Sequence, residues 1–351
     1  MKEVFRLIDS LIKLRDNIGE YISQESIDVG DGGAEVDCGE GVNVELIDEG
    51  IHDQQGLAGA DSQSTILRLE NADVHVVTGA LLGGVNALIP GLDGVKWLGI
   101  RLRFKPSNAL LKDLEGLLDG IAYFKSELLE RTFDGSYNEE AIREEIRTNV
   151  ELRLASAFRG SGVLMMDGPI FSTPKVLWMK DNPYSDLYRM LAGRRVSAYD
   201  GLNIIGVVKR LSQSTYYSKC LGLNVDDATL VKNEVIKAWG SKASVKARFG
   251  PIKIIAAGYS KHCWYVAVKL GKDVNVVRVE ALSPGLAERG AELVANSMTI
   301  SGVPLPIHAA DKMARRLNAG AVRLLAASPL GLTYEGLEEL GRALKELGEA
   351  A

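Results

Sequence analysis

The chain has 351 residues, 46% of them hydrophobic, and a formal net charge of −5. That is enough apolar material for one large α/β domain or two ordinary ones without covalent staples. Its three cysteines, Cys38, Cys220 and Cys263, show neither CxxC spacing nor a pairing pattern, which argues against disulfides and zinc sites and for a reducing compartment, the cytoplasm by default.

Charge is divided unevenly. Residues 1–100 carry 6 Lys/Arg against 18 Asp/Glu, and the remainder carries 35 against 28, with no Lys or Arg between residues 16 and 67. A solvated acidic segment accounts for this as well as a polyanion-binding remainder does. Val4, Ile8, Leu11, Ile18 and Ile22 recur at helical intervals, which predicts an amphipathic helix over 1–24 rather than a signal peptide. Residues 25–56, rich in Gly, Asp and Glu, read as an irregular acidic insertion.

A core is expected over 57–330. Its first part is a meander of strands over Ala58–Asp61, Thr65–Leu69, Val74–Val77 and Val95–Phe104. The uncharged stretch Val74–Leu92 approaches membrane-spanning length, but its glycines and Pro90 fit a strand, a turn and a second apolar segment better. Helices follow over 108–130 and 138–158, separated by Asp134-Gly135-Ser136. Val163-Leu164-Met165-Met166-Asp167-Gly168 is then a buried strand ending in an acid, and Ile204–Val208 is another, ending in Lys209-Arg210. A helix over 226–239, strands over 252–256, 264–270 and 274–279, and helices over 285–296, 307–317 and 334–347 complete the order. The last forms a C-terminal unit over 331–351, with Leu337, Leu340, Leu344 and Leu347 at helical spacing. Meander, helix, then strands alternating with helices describes an α/β fold with a mixed sheet flanked by helices.

Three acids stand out. Asp167 ends a buried strand, where α/β sheets present ligand-binding groups. Glu151 shares a helical stripe with Leu154, Ala155 and Phe158 and so points toward the sheet. Asp61 follows Leu57-Ala58-Gly59-Ala60. Held close together, such carboxylates need cations, and hard oxygen donors favour Mn²⁺ or Mg²⁺. Each has a plainer reading: Asp61-Ser62 as a turn or cap, Glu151 paired with Arg147 or Arg153, and Asp167-Gly168 as a tight turn. Glu144 and Glu145 rival Glu151 for its role.

His308 opens a helix after Pro304-Leu305-Pro306, with Asp311, Lys312 and Arg315 on its own face, and offers a ligand or proton carrier. Lys209 and Arg210 are candidate phosphate contacts. Arg189, Arg194, Arg195, Lys242, Lys246 and Arg248, spread over expected loops, could track a nucleic-acid backbone. GxxxxGK[ST], GxSxG and HExxH are missing, which removes P-loop, serine-hydrolase and zincin readings as simple motif matches.

From Leu57 to Leu317 the chain resembles the NurA nuclease family. The resemblance rests on Asp61, on Glu151 shortly before Val163–Gly168, on Ile205-Gly206-Val207-Val208-Lys209-Arg210, and on Pro304-Leu305-Pro306-Ile307-His308-Ala309. It implies a ribonuclease H-like core and a manganese-dependent DNA nuclease, 5′ to 3′ on ends and endonucleolytic on single strands. It further implies a homodimer that works with the hexameric HerA helicase in DNA end resection and double-strand break repair. By resemblance Asp61, Glu151, Asp167 and His308 are metal-binding and catalytic, with two ions, and Lys209 contacts DNA. Two-metal phosphodiester hydrolysis fits this set. One difference is Ser62, where the family's first acid is commonly followed by Gly. A non-catalytic DNA-binding or clamp subunit of a translocase is the alternative, separated from the enzyme by whether Mn²⁺ supports hydrolysis.

Overall fold

The computed structural model describes residues 34–47, 56–160, 162–327 and 331–348. The helix expected over 1–24 lies outside them. Strands are β1 (Glu35–Asp37), β2 (Asn43–Leu46), β3 (Leu57–Arg68), β4 (Ala72–Leu82), β5 (Ala87–Ile89), β6 (Leu98–Leu102), β7 (Ala122–Tyr123), β8 (Val163–Asp167), β9 (Ile204–Val208), β10 (Ser244–Ala256), β11 (Tyr259–Leu270) and β12 (Asp273–Ala281). The α-helices are α1 (Asn108–Leu118), α2 (Glu139–Ala157), α3 (Pro183–Tyr199), α4 (Tyr216–Cys220), α5 (Asp227–Trp239), α6 (Pro284–Ser297), α7 (Leu305–Ala326) and α8 (Tyr334–Gly348).

All twelve strands form one mixed sheet in the order β1-β10-β11-β12-β9-β8-β3-β4-β6-β7, with β2 also on β10 and β5 on β4. Within it, β3, β4 and β6 make the expected antiparallel meander, and β8 and β9 extend it in parallel on the other side of β3. Helix α2 is the crossover between the two halves. This is the α/β arrangement expected from the sequence, a mixed sheet flanked by helices. Among the described residues no helix is long and apolar enough to cross a membrane, and Val74–Leu92 contains β4 and β5.

Helix α2 starts where Asn138 Oδ1 accepts from Ala141 N–H, with Glu139 and Glu140 in the first turn favouring the helix dipole. It buries Ile142, Ile146, Val150 and Leu154, every fourth residue, against Ala58, Ala60, Val77 and Leu81 of the sheet. Glycines make room for this approach: a Cβ at Gly79 would lie 2.8 Å from Val150, and one at Gly99 2.4 Å from Ile146. On the opposite face α7 begins against β3, where a Cβ at Gly59 would lie 2.1 Å from the Pro306 carbonyl oxygen. Strand alternation therefore divides β3, with Ala58, Ala60 and Ser62 facing α2 and Gly59, Asp61, Gln63 and Thr65 facing α7.

Several expectations are corrected. The strands expected over 58–61 and 65–69 are one continuous strand, β3, so Asp61 lies within it and not at its end. The helix expected over 108–130 stops at Leu118, because Asp119 and Gly120 (φ +70°) turn the chain into β7. Helix α3 occupies a stretch read as loop, which places Arg189, Arg194 and Arg195 on a helix. Part of the acidic insertion is ordered, since β1 and β2 extend the sheet at β10. Finally, Cys38 and Cys220 form a disulfide, contrary to the reading of the cysteines as unpaired. Cys38 directly follows β1 and Cys220 ends α4, and α4 packs beside β1 and β10.

Candidate metal centre

Parallel pairing brings the first two acids together. Ala60 pairs with Met166 across β3 and β8, so Asp61 and Asp167 are the next residues on adjacent strands and share the face toward α7. Helix α7 supplies a third acid. Asp61, Asp167 and Asp311 each place a carboxylate oxygen within 4.8 Å of the others, and no other group of metal-ligating side chains among the described residues does so. Gln63 Nε2 spans two of them, donating to Asp61 Oδ2 and Asp311 Oδ1 at 3.1 Å each. Arg315 Nε donates to Asp311 Oδ1 at 3.0 Å from one turn further along α7.

The electrostatics are those of crowded acid. Asp61 is 2% exposed, and burial together with the Asp167 carboxylate pushes its pKa up to about 8. Burial raises Asp167 as well, against the pull of Lys209 and Arg147. Lys209 Nζ lies 2.5 Å from Asp167 Oδ2, so the lysine expected to meet a phosphate instead neutralises a carboxylate of the cluster. Arg210 is exposed beside it.

Glu151 stands apart from the three aspartates. It is inward-facing as expected, but on the α2 side of the sheet, opposite Asp61 and Asp167. Its Oε1 accepts from Ser62 Oγ at 2.6 Å and Arg147 Nε at 2.7 Å, and its Oε2 from Arg195 Nη1 at 2.6 Å. Although burial opposes ionisation, Arg195 and Arg147 hold its pKa at about 2. Both oxygens are committed to cations of the protein itself. The rivals are also outside the cluster: Glu144 accepts from Ser172 Oγ, and Glu145 from the Glu127 amide.

His308 occupies the first turn of α7, half-buried, three residues before Asp311 and hence on its face of the helix. The wider set of cations does not form a free track. Arg248 is held by Glu45, Glu288 and Glu292 over the Trp264 ring, Lys246 by Asn296, Arg189 by Asp186 and Arg194 by Asn149. The site residue missed by sequence reasoning is Asp311. Its signal was its place on the His308 face.

The NurA domain family matches residues 57–316. The chain belongs to the NurA nuclease family. A match to the NurA nuclease from Sulfolobus solfataricus has 15% identity over 92% of this chain and 98% of that one, with a TM-score of 0.45. A NurA with manganese matches at 10% identity over 93% and 98%, TM-score 0.45. A NurA bound to dAMP and manganese matches at 10% identity over 89% and 92%, TM-score 0.43. No curated protein matches this NurA-family chain.

Proposed function

We propose that this chain is a divalent-metal-dependent deoxyribonuclease whose metal centre is built on Asp61, Asp167 and Asp311. The observation that carries the reading is three carboxylates from β3, β8 and α7 converging within 4.8 Å in a chain of the NurA family. The donor set fits Mn²⁺ or Mg²⁺: all-oxygen, anionic, and so crowded that Asp61 is held as a neutral acid near pH 7. Bound ions would supply Lewis acidity at the scissile phosphodiester and help generate the attacking water, with two ions the arrangement that serves both oxygens.

The protein's own groups do the rest. Gln63 fixes the spacing of Asp61 and Asp311, and Lys209 neutralises Asp167. His308, a turn from Asp311, carries a proton or completes a ligand shell. Arg210, exposed beside Lys209, is the cation left to meet the substrate phosphates. Glu151 serves as the buried counter-ion that orders Arg147 and Arg195, and Arg147 Nη2 reaches the Asp167 carbonyl at 3.4 Å. Family membership supports the finer reading of a homodimer that cuts DNA ends 5′ to 3′ and single strands internally, working with a HerA-type hexameric helicase in end resection.

End-labelled double-stranded and single-stranded DNA, incubated with the protein and Mn²⁺, tests this. Cleavage by wild type and its loss in Asp61→Asn, Asp167→Asn and Asp311→Asn, with DNA binding retained, is the expected result. DNA binding without hydrolysis by wild type would overturn the enzyme reading in favour of a clamp subunit.

A further inference from the structure

The segment leaving Asp167 is held by more than loop packing. Gly168 adopts φ +121° and sends the chain back across β9. It crosses at Gly206, where a Cβ would lie 2.6 Å from the Gly168 carbonyl oxygen and 2.8 Å from the Ile170 nitrogen. Two charged side chains wholly shielded from solvent then grip the main chain. Glu280 Oε2 accepts from the Ile170 N–H at 3.0 Å, and Lys261 Nζ donates at 2.9 Å to both the Phe171 carbonyl and the same Oε2. Arg278 Nε donates to Glu280 Oε1 at 2.9 Å. The Lys261 ammonium also lies 4.7 Å from the centre of the Phe171 ring.

A buried ion pair is a poor source of stability, since well-packed apolar residues of similar volume often do as well or better. This pair supplies direction instead. Both charges end on backbone groups of one short segment, three and four residues beyond Asp167. Neither reaches the aspartates, because Glu280 pairs with Gly206 and so lies on the sheet face opposite Asp167. We infer that Lys261 and Glu280 are positioning residues for the metal centre, fixing residues 168–171 and through them the aim of the Asp167 carboxylate at Asp61 and Asp311. This rests on the reading of those acids as metal ligands.

Coupling between two sites is reciprocal, so if the clamped segment orients a ligand, metal must tighten the segment. Hydrogen exchange at the Ile170 amide of the wild-type protein is expected to slow about tenfold in saturating Mn²⁺, the scale typical of groups that orient metal ligands. Titrating Mn²⁺ alone into Gly206→Ala, which crowds the crossing, and Lys261→Met, which leaves Glu280 paired with Arg278, is expected to show affinity about tenfold weaker. In cleavage assays kcat falls while KM for DNA stays near wild type. Mn²⁺ binding to wild type with unchanged Ile170 exchange, or wild-type Mn²⁺ affinity in Gly206→Ala, overturns the positioning role alone. Failure of wild type to bind Mn²⁺ overturns the ligand reading and this one together. If Lys261→Met does not fold, the exchange measurement and Gly206→Ala decide.

Discussion

Asp61 and Asp167 stand side by side on adjacent parallel strands, each one residue past the paired Ala60 and Met166, and both face α7. Without metal this arrangement works against folding. The Asp61 pKa rises from 3.8 to about 8, so its contribution to stability is fully present below pH 3.8 and lost as pH rises through 8. Asp61→Asn escapes that loss. In EDTA, the variant is expected to match wild type near pH 4 and to exceed it increasingly toward pH 8, measured by denaturant unfolding across the range. A constant difference over that range would contradict the crowding argument.

Metal uptake carries the opposite pH dependence. Below about pH 8 Asp61 is largely protonated, and a divalent cation must displace that proton. Mn²⁺ affinity should therefore climb with pH and level off above 8. Calorimetry near pH 7 in buffers of different ionisation enthalpy should report about one proton released per binding event. Affinity independent of pH between 6 and 8 would show that Asp61 is not a ligand.

Glu151 predicts the reverse of Asp61. Replacing it with Gln removes the carboxylate between Arg147 and Arg195 and leaves Arg195, 4% exposed, without its main counter-charge. Breaking one side of a buried pair costs on the order of 3 kcal/mol. Glu151→Gln should thus lose stability with EDTA present, where Asp61→Asn gains it, and equilibrium unfolding of the two variants side by side separates the roles. Equal stabilisation by both substitutions would place Glu151 back among the crowded acids.

The Cys38–Cys220 disulfide joins the β1 edge to α4 across 182 residues of sequence. A disulfide typically stabilises a fold by about 2–4 kcal/mol, and one closing so long a loop belongs at or above the top of that range. Thiol titration of the denatured, unreduced protein should find Cys263 alone, and the double variant Cys38→Ser/Cys220→Ser should unfold at lower denaturant. Three titratable thiols in protein purified without reductant would exclude the bond.

What the sequence made legible follows from periodicity. Val163 to Asp167 reads as a strand because it is apolar without a break, and it is buried up to its final acid. The inward stripe of α2 likewise places Glu151 toward the sheet. A stripe names a direction and not a partner, however, and Arg195, which claims Glu151, comes from α3. That helix has a sound start signal in Asn182 and Pro183, with Asn182 Oδ1 accepting from Tyr184 N–H. Asp311 was visible only as a neighbour of His308. Its approach to Asp61 depends on α7 settling against Gly59, a contact between distant elements that no local pattern encodes.

The close seating of α7 on Gly59 also orders events in the life of the chain. Gln63 and Asp311 are 248 residues apart, and the third carboxylate arrives with the last helix but one. A nascent chain therefore makes β3 and β8 long before it can complete the cluster. The proposed metal centre is therefore incomplete until α7 has been synthesised and has docked against β3.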